Sequence, residues 1–408
     1  MHVALLSGEY PPEPGGLGDY TRCLVAALSE QGLFTSVVTL RDEALVVYRG
    51  ATLDPVLKSR RIVGWDWSCW PAVIELLDRL RPDVLHLQYQ TGAYAMHPAL
   101  NFLPWRLHGL RPRPQVVVTF HDLLVPYLFP KAGRLRNYVN WRLAGDADAV
   151  IVTNSSDAEQ LAPALAHVPQ HIPIGSNIAV ATASGYDRRA WRAALGVSPE
   201  ETLLAYFGLL SPSKGAEDLL AALAALPSTV RLVLIGGAAT SAVDRAYSAT
   251  FAALIQAYGL EQRILRTGHV SAEIVSAHLC AADIVVLPFR DGASLRRGSL
   301  LAAMAHGCCV ISTRPAERAT QDLLQHGVNL YLVDRAEELH GAITSLINDK
   351  MVCTQLGAAA QLFAQQFSWE AIATAHLALY DRTLTRGHGE FIGSVRRPLR
   401  HRVQLKAA

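Results

Sequence analysis

The chain has 408 residues, half of them apolar, which exceeds one ordinary core and suits two domains of about 200 residues each. A formal net charge of only +2 makes nucleic acid an unexpected partner, and no stretch approaches the roughly eighteen apolar residues of a membrane span. The six cysteines (Cys23, Cys69, Cys280, Cys308, Cys309, Cys353) include no pair at zinc spacing, so no metal site is expected, and they fit a reduced cytoplasmic setting.

The first strand is predicted at 3–7 and runs straight into Gly8-Glu9-Tyr10-Pro11-Pro12. Neither a basic segment nor a long apolar stretch precedes that loop, so no signal peptide is expected. Further strands are predicted at 36–40, 83–87, 116–120 and 149–153. Between them lie helical patterns. One at 21–30 puts Leu24, Ala27 and Leu28 on one face, and one at 70–80 does the same with Val73, Ile74, Leu77 and Leu80. Strands that are apolar throughout are buried on both faces, as in a parallel sheet, and alternation with helices implies an open, doubly wound α/β sheet. The pattern breaks between Gly175-Ser176-Asn177 and Gly185, where the chain is small, polar and turn-rich. A hinge there divides a first domain, 1–175, from a second, 176–366.

The second domain repeats the alternation. Strands are predicted at 203–207, 231–235, 264–267, 284–287 and 309–312, with helices at 216–226, 242–258, 271–281 and 300–306. A last helix over 367–385 is expected to pack back on the first domain. Residues 387–408 carry Arg396, Arg397, Arg400, Arg402 and Lys406 among glycine and proline. Such a tail is expected to be disordered, and the alternative is contact with an anionic membrane surface.

Two doubly wound sheets leave a cleft between the carboxyl ends of their strands, where open α/β sheets bind ligands. Four loops point there. The first, Gly15-Gly16-Leu17-Gly18-Asp19-Tyr20, opens a helix; its glycines let backbone approach a ligand, and a helix N-terminus favours anions. It lacks the GxGxxG spacing, and no acid ends the second strand at Leu40, so a dinucleotide is not indicated; a plain tight turn is the alternative. The second, Thr119-Phe120-His121-Asp122, ends a buried strand with a polar pair; His121 would bond a ligand hydroxyl and Asp122 would orient it. In the third, Phe207-Gly208 leads to Lys214-Gly215 at a helix start, where lysine adds a point charge beside exposed N–H groups, as a phosphate needs. In the fourth, Arg296 and Arg297 precede Gly298 and Ser299 at another helix start. There they oppose the helix dipole, and a bound diphosphate or carboxylate would relieve the conflict; a solvated surface pair is the alternative. Gln88, Tyr89 and Gln90 follow the third strand and are expected to line the cleft. Trp65, Trp67 and Trp70 crowd one stretch, with core packing as the plainer reading.

Taken in order, these segments resemble the family-4 glycosyltransferases over roughly residues 1–385. The matching residues are Gly15 to Tyr20, Arg81-Pro82-Asp83-Val84-Leu85-His86, Thr119 to Asp122 and Val152-Thr153-Asn154-Ser155. They continue with Pro173 to Ile178, the Phe207-Gly208 and Lys214-Gly215 pairs, and Ala303-Met304-Ala305-His306-Gly307 with Val310-Ile311. The resemblance implies the GT-B architecture, two Rossmann-like domains facing across a cleft. It also implies transfer of a sugar from a nucleotide-diphosphate donor to a hydroxyl acceptor, usually with retention and without metal or cofactor. Gly16 and Gly18 would then lie beneath donor phosphate and acceptor, His121 would touch the transferred sugar, and Lys214 would bind the diphosphate. Gly268, His269 and Val270 would hold the nucleobase, with Gly208 and Ser294 also on the donor side. Gln88, Tyr89 and Gln90 remain the expected acceptor residues, and Asp19 and Asp122 are candidate bases by position. The sequence departs from the family pattern in two places. Leu209 stands where the family has an arginine, and Ser294 and Ala302 stand where it has two glutamates eight positions apart. Arg296 and Arg297 are expected to replace the lost positive charge. The expected setting is polysaccharide, glycolipid or cell-envelope glycan synthesis, with a carbohydrate or lipid-linked acceptor. The enzyme would be cytoplasmic or peripheral on the inner membrane face. A non-catalytic binding subunit is the alternative.

Overall fold

The computed structural model describes residues 1–13, 15–124, 135–165, 168–181, 184–237 and 242–390. Arg396, Arg397, Arg400, Arg402 and Lys406 of the basic tail lie outside the described residues.

The N-terminal lobe runs β1 (His2–Ser7), α1 (Gly16–Glu30), β2 (Phe34–Arg41), β3 (Ala44–Arg49), β4 (Thr52–Arg61), α2 (Cys69–Leu80), β5 (Val84–Tyr89), α3 (Leu103–Leu107), β6 (Gln115–Phe120), α4 (Leu135–Asp146), β7 (Ala149–Val152), α5 (Ser155–Leu161) and β8 (Gln170–His171). The eight strands order as β4-β3-β2-β1-β5-β6-β7-β8. Pairing is parallel from β2 through β8 and antiparallel along β2-β3-β4. Strand β1 shows why the interior strands are apolar throughout. Ala4 and Leu6 pack toward α2 and α3, while Val3 and Leu5 pack toward α1 and the last helix, so both faces are core. The β3-β4 hairpin is absent from the sequence reading. β4 carries Pro55 and several charges, reads as loop, and survives as an exposed edge strand. Helix α1 begins at Gly16, earlier than its apolar face suggests. Gly18, a poor helix former, sits where a Cβ would be only 3.2 Å from the Tyr10 backbone.

The C-terminal lobe runs α6 (Arg188–Ala194), β9 (Thr202–Phe207), α7 (Ala216–Ala225), β10 (Val230–Ile235), α8 (Ala242–Ala257), β11 (Ile264–Gly268), α9 (Ala272–Ala281), β12 (Ile284–Leu287), α10 (Gly298–Ala305), β13 (Cys309–Thr313), α11 (Arg318–Leu323), β14 (Tyr331–Val333), α12 (Leu339–Asn348) and α13 (Lys350–Ala364). Its all-parallel sheet orders as β11-β10-β9-β12-β13-β14. The order reverses between β9 and β12, and a ligand crevice opens at such a switch point. In the N-terminal sheet the corresponding reversal lies between β1 and β5.

The chain then crosses back. Helix α14 (Trp369–Glu390) leaves the second lobe and packs on α1, burying Ile372, Ala373 and Tyr380 in the first lobe's core. The two interlobe crossings touch. The Trp369 indole N–H donates to Ser176 O at 2.7 Å, and a Cβ on Gly175 would lie 2.9 Å from the same indole.

Candidate active site

On the C-terminal lobe, β9 delivers Gly208 to the switch point with φ +137°, a conformation few side chains tolerate. A Cβ there would lie 3.2 Å from Lys214 Nζ and 3.9 Å from Ser299 Oγ, so the three groups converge on one spot. Contacts of its neighbours fix the loop that carries Lys214. Gly215, at φ +62°, packs so closely on Pro288 O that a Cβ would collide with it. The Arg290 amide donates to Ser213 O at 3.0 Å, while the Arg290 side chain pairs with Glu217 and Asp218. The loops after β9 and β12 are thereby locked side by side. Helix α10 starts where they meet, with Ser299 in its first turn and its N–H groups suited to an anion.

A floor of glycine extends from this spot along the sheet. Gly236, at φ +126°, lies so close that its Cβ would be 2.7 Å from Gly208 O, and Gly236 in turn bridges Gly268. Gly268 and His269 are exposed at the end of this row, with Val270 half-buried beside them. Ser294 stabilises the turn before α10: its Oγ accepts from the Arg296 amide at 3.3 Å and its carbonyl from the Arg297 amide at 3.0 Å. Ala302 is fully buried within α10, and Leu209 is 47% exposed.

The structure separates the arginine pair and corrects the expectation for one of them. Arg297 is paired with Asp291 and lies 4.8 Å over the Phe289 ring, so its charge holds the loop together rather than facing a diphosphate. Arg296 is exposed and reaches across the cleft, donating to His121 O at 3.0 Å.

On the N-terminal lobe, His121 caps β6. Its Nε2 meets Gln88 Oε1 at 2.9 Å, and the Tyr20 ring of α1 meets it edge-on at 4.6 Å. Burial pulls its pKa down to about 3, with His376 and Arg296 adding to the effect, so the imidazole is neutral. Asp122 is half-buried beside it; burial raises its pKa, and Oδ1 accepts from the Leu124 amide at 3.1 Å. Asp19 pairs instead with Arg22, one turn on, at 3.8 Å. Gly16 is exposed with open space around its α-carbon.

Two of the three expected acceptor residues are corrected. Gln88 is fully buried behind His121, and Tyr89 is buried in the lobe's core, its hydroxyl within bonding reach of Asn101 and Thr91. As neighbours on β5 the two side chains point to opposite faces of the sheet, and both are held in its buried layers short of the cleft. Gln90, just past the strand, is half-buried. Of the tryptophans, Trp65 is buried, Trp70 donates to Ala99 O at 2.9 Å, and Trp67 is 47% exposed.

Two residues escaped the sequence reading. Glu9, at the switch point after β1, presses its carboxylate against Gly15 and lines a cavity of about 470 Å³ with Gly8, Glu13, Trp65 and Ala93. Burial raises its pKa, with Glu13 adding to the effect. An acid directly after the first strand was the available signal. Glu317 accepts from the Ser155 hydroxyl across the cleft at 3.0 Å, and nothing in sequence connects those two positions. Among the described residues, no group of three or more His, Cys, Asp or Glu is placed to hold a metal ion, and no helix is long and apolar enough to cross a membrane.

Residues 14–174 match the family described as Glycosyltransferase Family 4, and residues 201–349 match Glycosyl transferases group 1. The chain belongs to the family-4 glycosyltransferases. This glycosyltransferase is similar to D-inositol 3-phosphate glycosyltransferase of Jonesia denitrificans, 27% identical over 411 residues that cover 94% of this chain and 95% of the relative. It is also similar to the Mycobacterium marinum protein of the same name, 28% identical over 279 residues, which span 67% of this chain and 57% of that one. Two solved structures share its GT-B fold. Sucrose-phosphate synthase from Thermosynechococcus elongatus has a TM-score of 0.70 at 23% identity, covering 94% of this chain and 99% of that one. Anabaena HepE in complex with UDP and glucose has a TM-score of 0.67 at 21% identity, covering 94% and 100%.

Proposed function

We propose that the glycosyltransferase takes its sugar from a nucleoside-diphosphate donor whose diphosphate rests on Gly208, Lys214, Ser299 and the start of α10. The observation that carries this reading is the convergence of Lys214 Nζ and Ser299 Oγ on Gly208 at the sheet's switch point. The glycine row Gly208-Gly236-Gly268 admits the rest of the nucleotide close to backbone, with the base at His269 and Val270. Lys214 and the α10 amides stabilise the diphosphate as the sugar–oxygen bond breaks. Arg296 adds charge at the mouth and ties the lobes together through His121 O, and closure about Gly175 excludes water. The relative solved with UDP and glucose supports this choice of donor class.

The acceptor enters from the N-terminal lobe, past the exposed Gly16 and by the cavity beside Glu9, while Gly18 is buried against Tyr10. Asp122 and Glu9, both with raised pKa values, are the carboxyls placed to take the acceptor proton. Retention at the anomeric carbon and a carbohydrate or lipid-linked acceptor at the cytoplasmic membrane face complete the reading. Calorimetric titration with UDP-glucose tests the donor site. Lys214→Ala is expected to weaken binding about tenfold or more, and Arg296→Ala by a smaller factor because its guanidinium is solvated. Unchanged affinity in both variants would refute the assignment.

A further inference from the structure

Behind His121 lies a closed chain of polar side chains that the transfer chemistry above leaves unused. His86 and Gln88, alternate residues on β5, are fully buried. His86 Nδ1 meets the Tyr380 hydroxyl of α14 at 2.7 Å, and its Nε2 meets the Thr119 hydroxyl of β6 at 2.7 Å. Burial keeps its pKa well below the ordinary value, so the ring is neutral and both in-plane positions are taken. Gln88 Nε2 lies 3.3 Å from one ring nitrogen and 3.2 Å from the other. An atom so evenly placed between them would run into Cε1 if it lay in the ring plane, so the amide nitrogen sits over the ring face. That face is electron-rich and accepts an N–H, whereas a carbonyl oxygen would be repelled. The Gln88 amide therefore has one favourable orientation, with nitrogen over His86 and oxygen 2.9 Å from His121 Nε2. A carbonyl oxygen only accepts, so the neutral His121 carries its proton on Nε2.

We propose that Gln88 is a positioning residue that holds His121 in the Nε2–H tautomer, leaving Nδ1 as a proton-free acceptor for a hydroxyl of the transferred sugar. The identity of that hydroxyl rests on the nucleotide-sugar reading; the tautomer does not. Neutral imidazole has two tautomers close in energy, and one fixed hydrogen bond selects between them. Gln88 is itself braced, since His86 is held by Tyr380. The seat of α14 on the first lobe thus reaches the His121 ring through two side chains.

Nitrogen NMR of the full-length protein labelled with [15N]histidine tests this, with His121→Asn assigning the resonances. The wild type is expected to show Nε2 protonated and Nδ1 not. Gln88→Leu is expected to show both tautomers and to lower kcat about tenfold or more, with the KM for UDP-glucose changed less than about twofold. A wild type protonated on Nδ1, or a Gln88→Leu variant that keeps a pure Nε2–H ring, would overturn the assignment. Should Gln88→Leu not fold, the wild-type spectrum alone still decides the tautomer. Should wild type bind no UDP-glucose by calorimetry, the donor reading fails, and with it the role given to Nδ1, while the spectrum still reports the ring.

Discussion

Adjacent arginines at the start of α10 have different tasks. Arg297 is paired with Asp291 and stacked on Phe289, with only 22% of its side chain exposed, whereas Arg296 spans the cleft to His121 O. Arg297→Ala is expected to destabilise the second lobe by about 1 kcal/mol through loss of the stacked cation and its ion pair. Arg296→Ala should leave stability within about 0.5 kcal/mol of wild type, because its partner is a solvated carbonyl. Urea unfolding of the two variants separates them. Sequence showed two cations opposing a helix dipole; which of them paired with Asp291 and which crossed to His121 O was visible only in the folded loop. Gln88 and Tyr89 illustrate the same limit. Their place at a strand end was legible, but the cleft lies just beyond the strand, and both side chains are still within the sheet's buried layers.

At the scale of elements, α14 matters most to the N-terminal lobe. Tyr380→Phe keeps the ring but removes the hydroxyl from His86 Nδ1, which should cost about 1–3 kcal/mol of stability. The buried histidines are expected to make the fold acid-labile. In the folded chain His376 titrates at about 4 and His121 at about 3, both lowered first of all by burial. Unfolded, each takes up a proton below about pH 6.5. Between pH 6.5 and 4 the unfolded state therefore binds more protons, and stability falls as the pH drops. His376 alone accounts for on the order of 3 kcal/mol across that window. Urea unfolding at pH 7, 5.5 and 4 checks the slope, which His376→Gln should flatten. The strands that carry the site were legible because parallel strands buried on both faces are apolar throughout. The β3-β4 hairpin, β14, α12 and α13 were not, since edge strands and outer helices owe their position to the surface they cover.

For the whole molecule, two lobes meeting at Gly175 and Trp369 imply that unfolding need not be a single transition. A nucleotide that binds only the second lobe should move that lobe's transition. UDP at a hundred times its dissociation constant should stabilise it by about 2.7 kcal/mol, visible by scanning calorimetry, with any transition of the first lobe less affected. Sequence by itself determined the two α/β lobes, the strands that end at the cleft, and the loops bearing Gly208, Lys214, Arg296 and His121, because local periodicity and turn chemistry are written along the chain. Only the tertiary structure decided that Lys214 and Ser299 both come close to Gly208, that Arg297 serves its own loop, and that Gln88 stands behind His121. Each of these joins residues far apart in sequence or depends on how one loop folds, and burial and hydrogen-bond partners exist only once the sheets have formed.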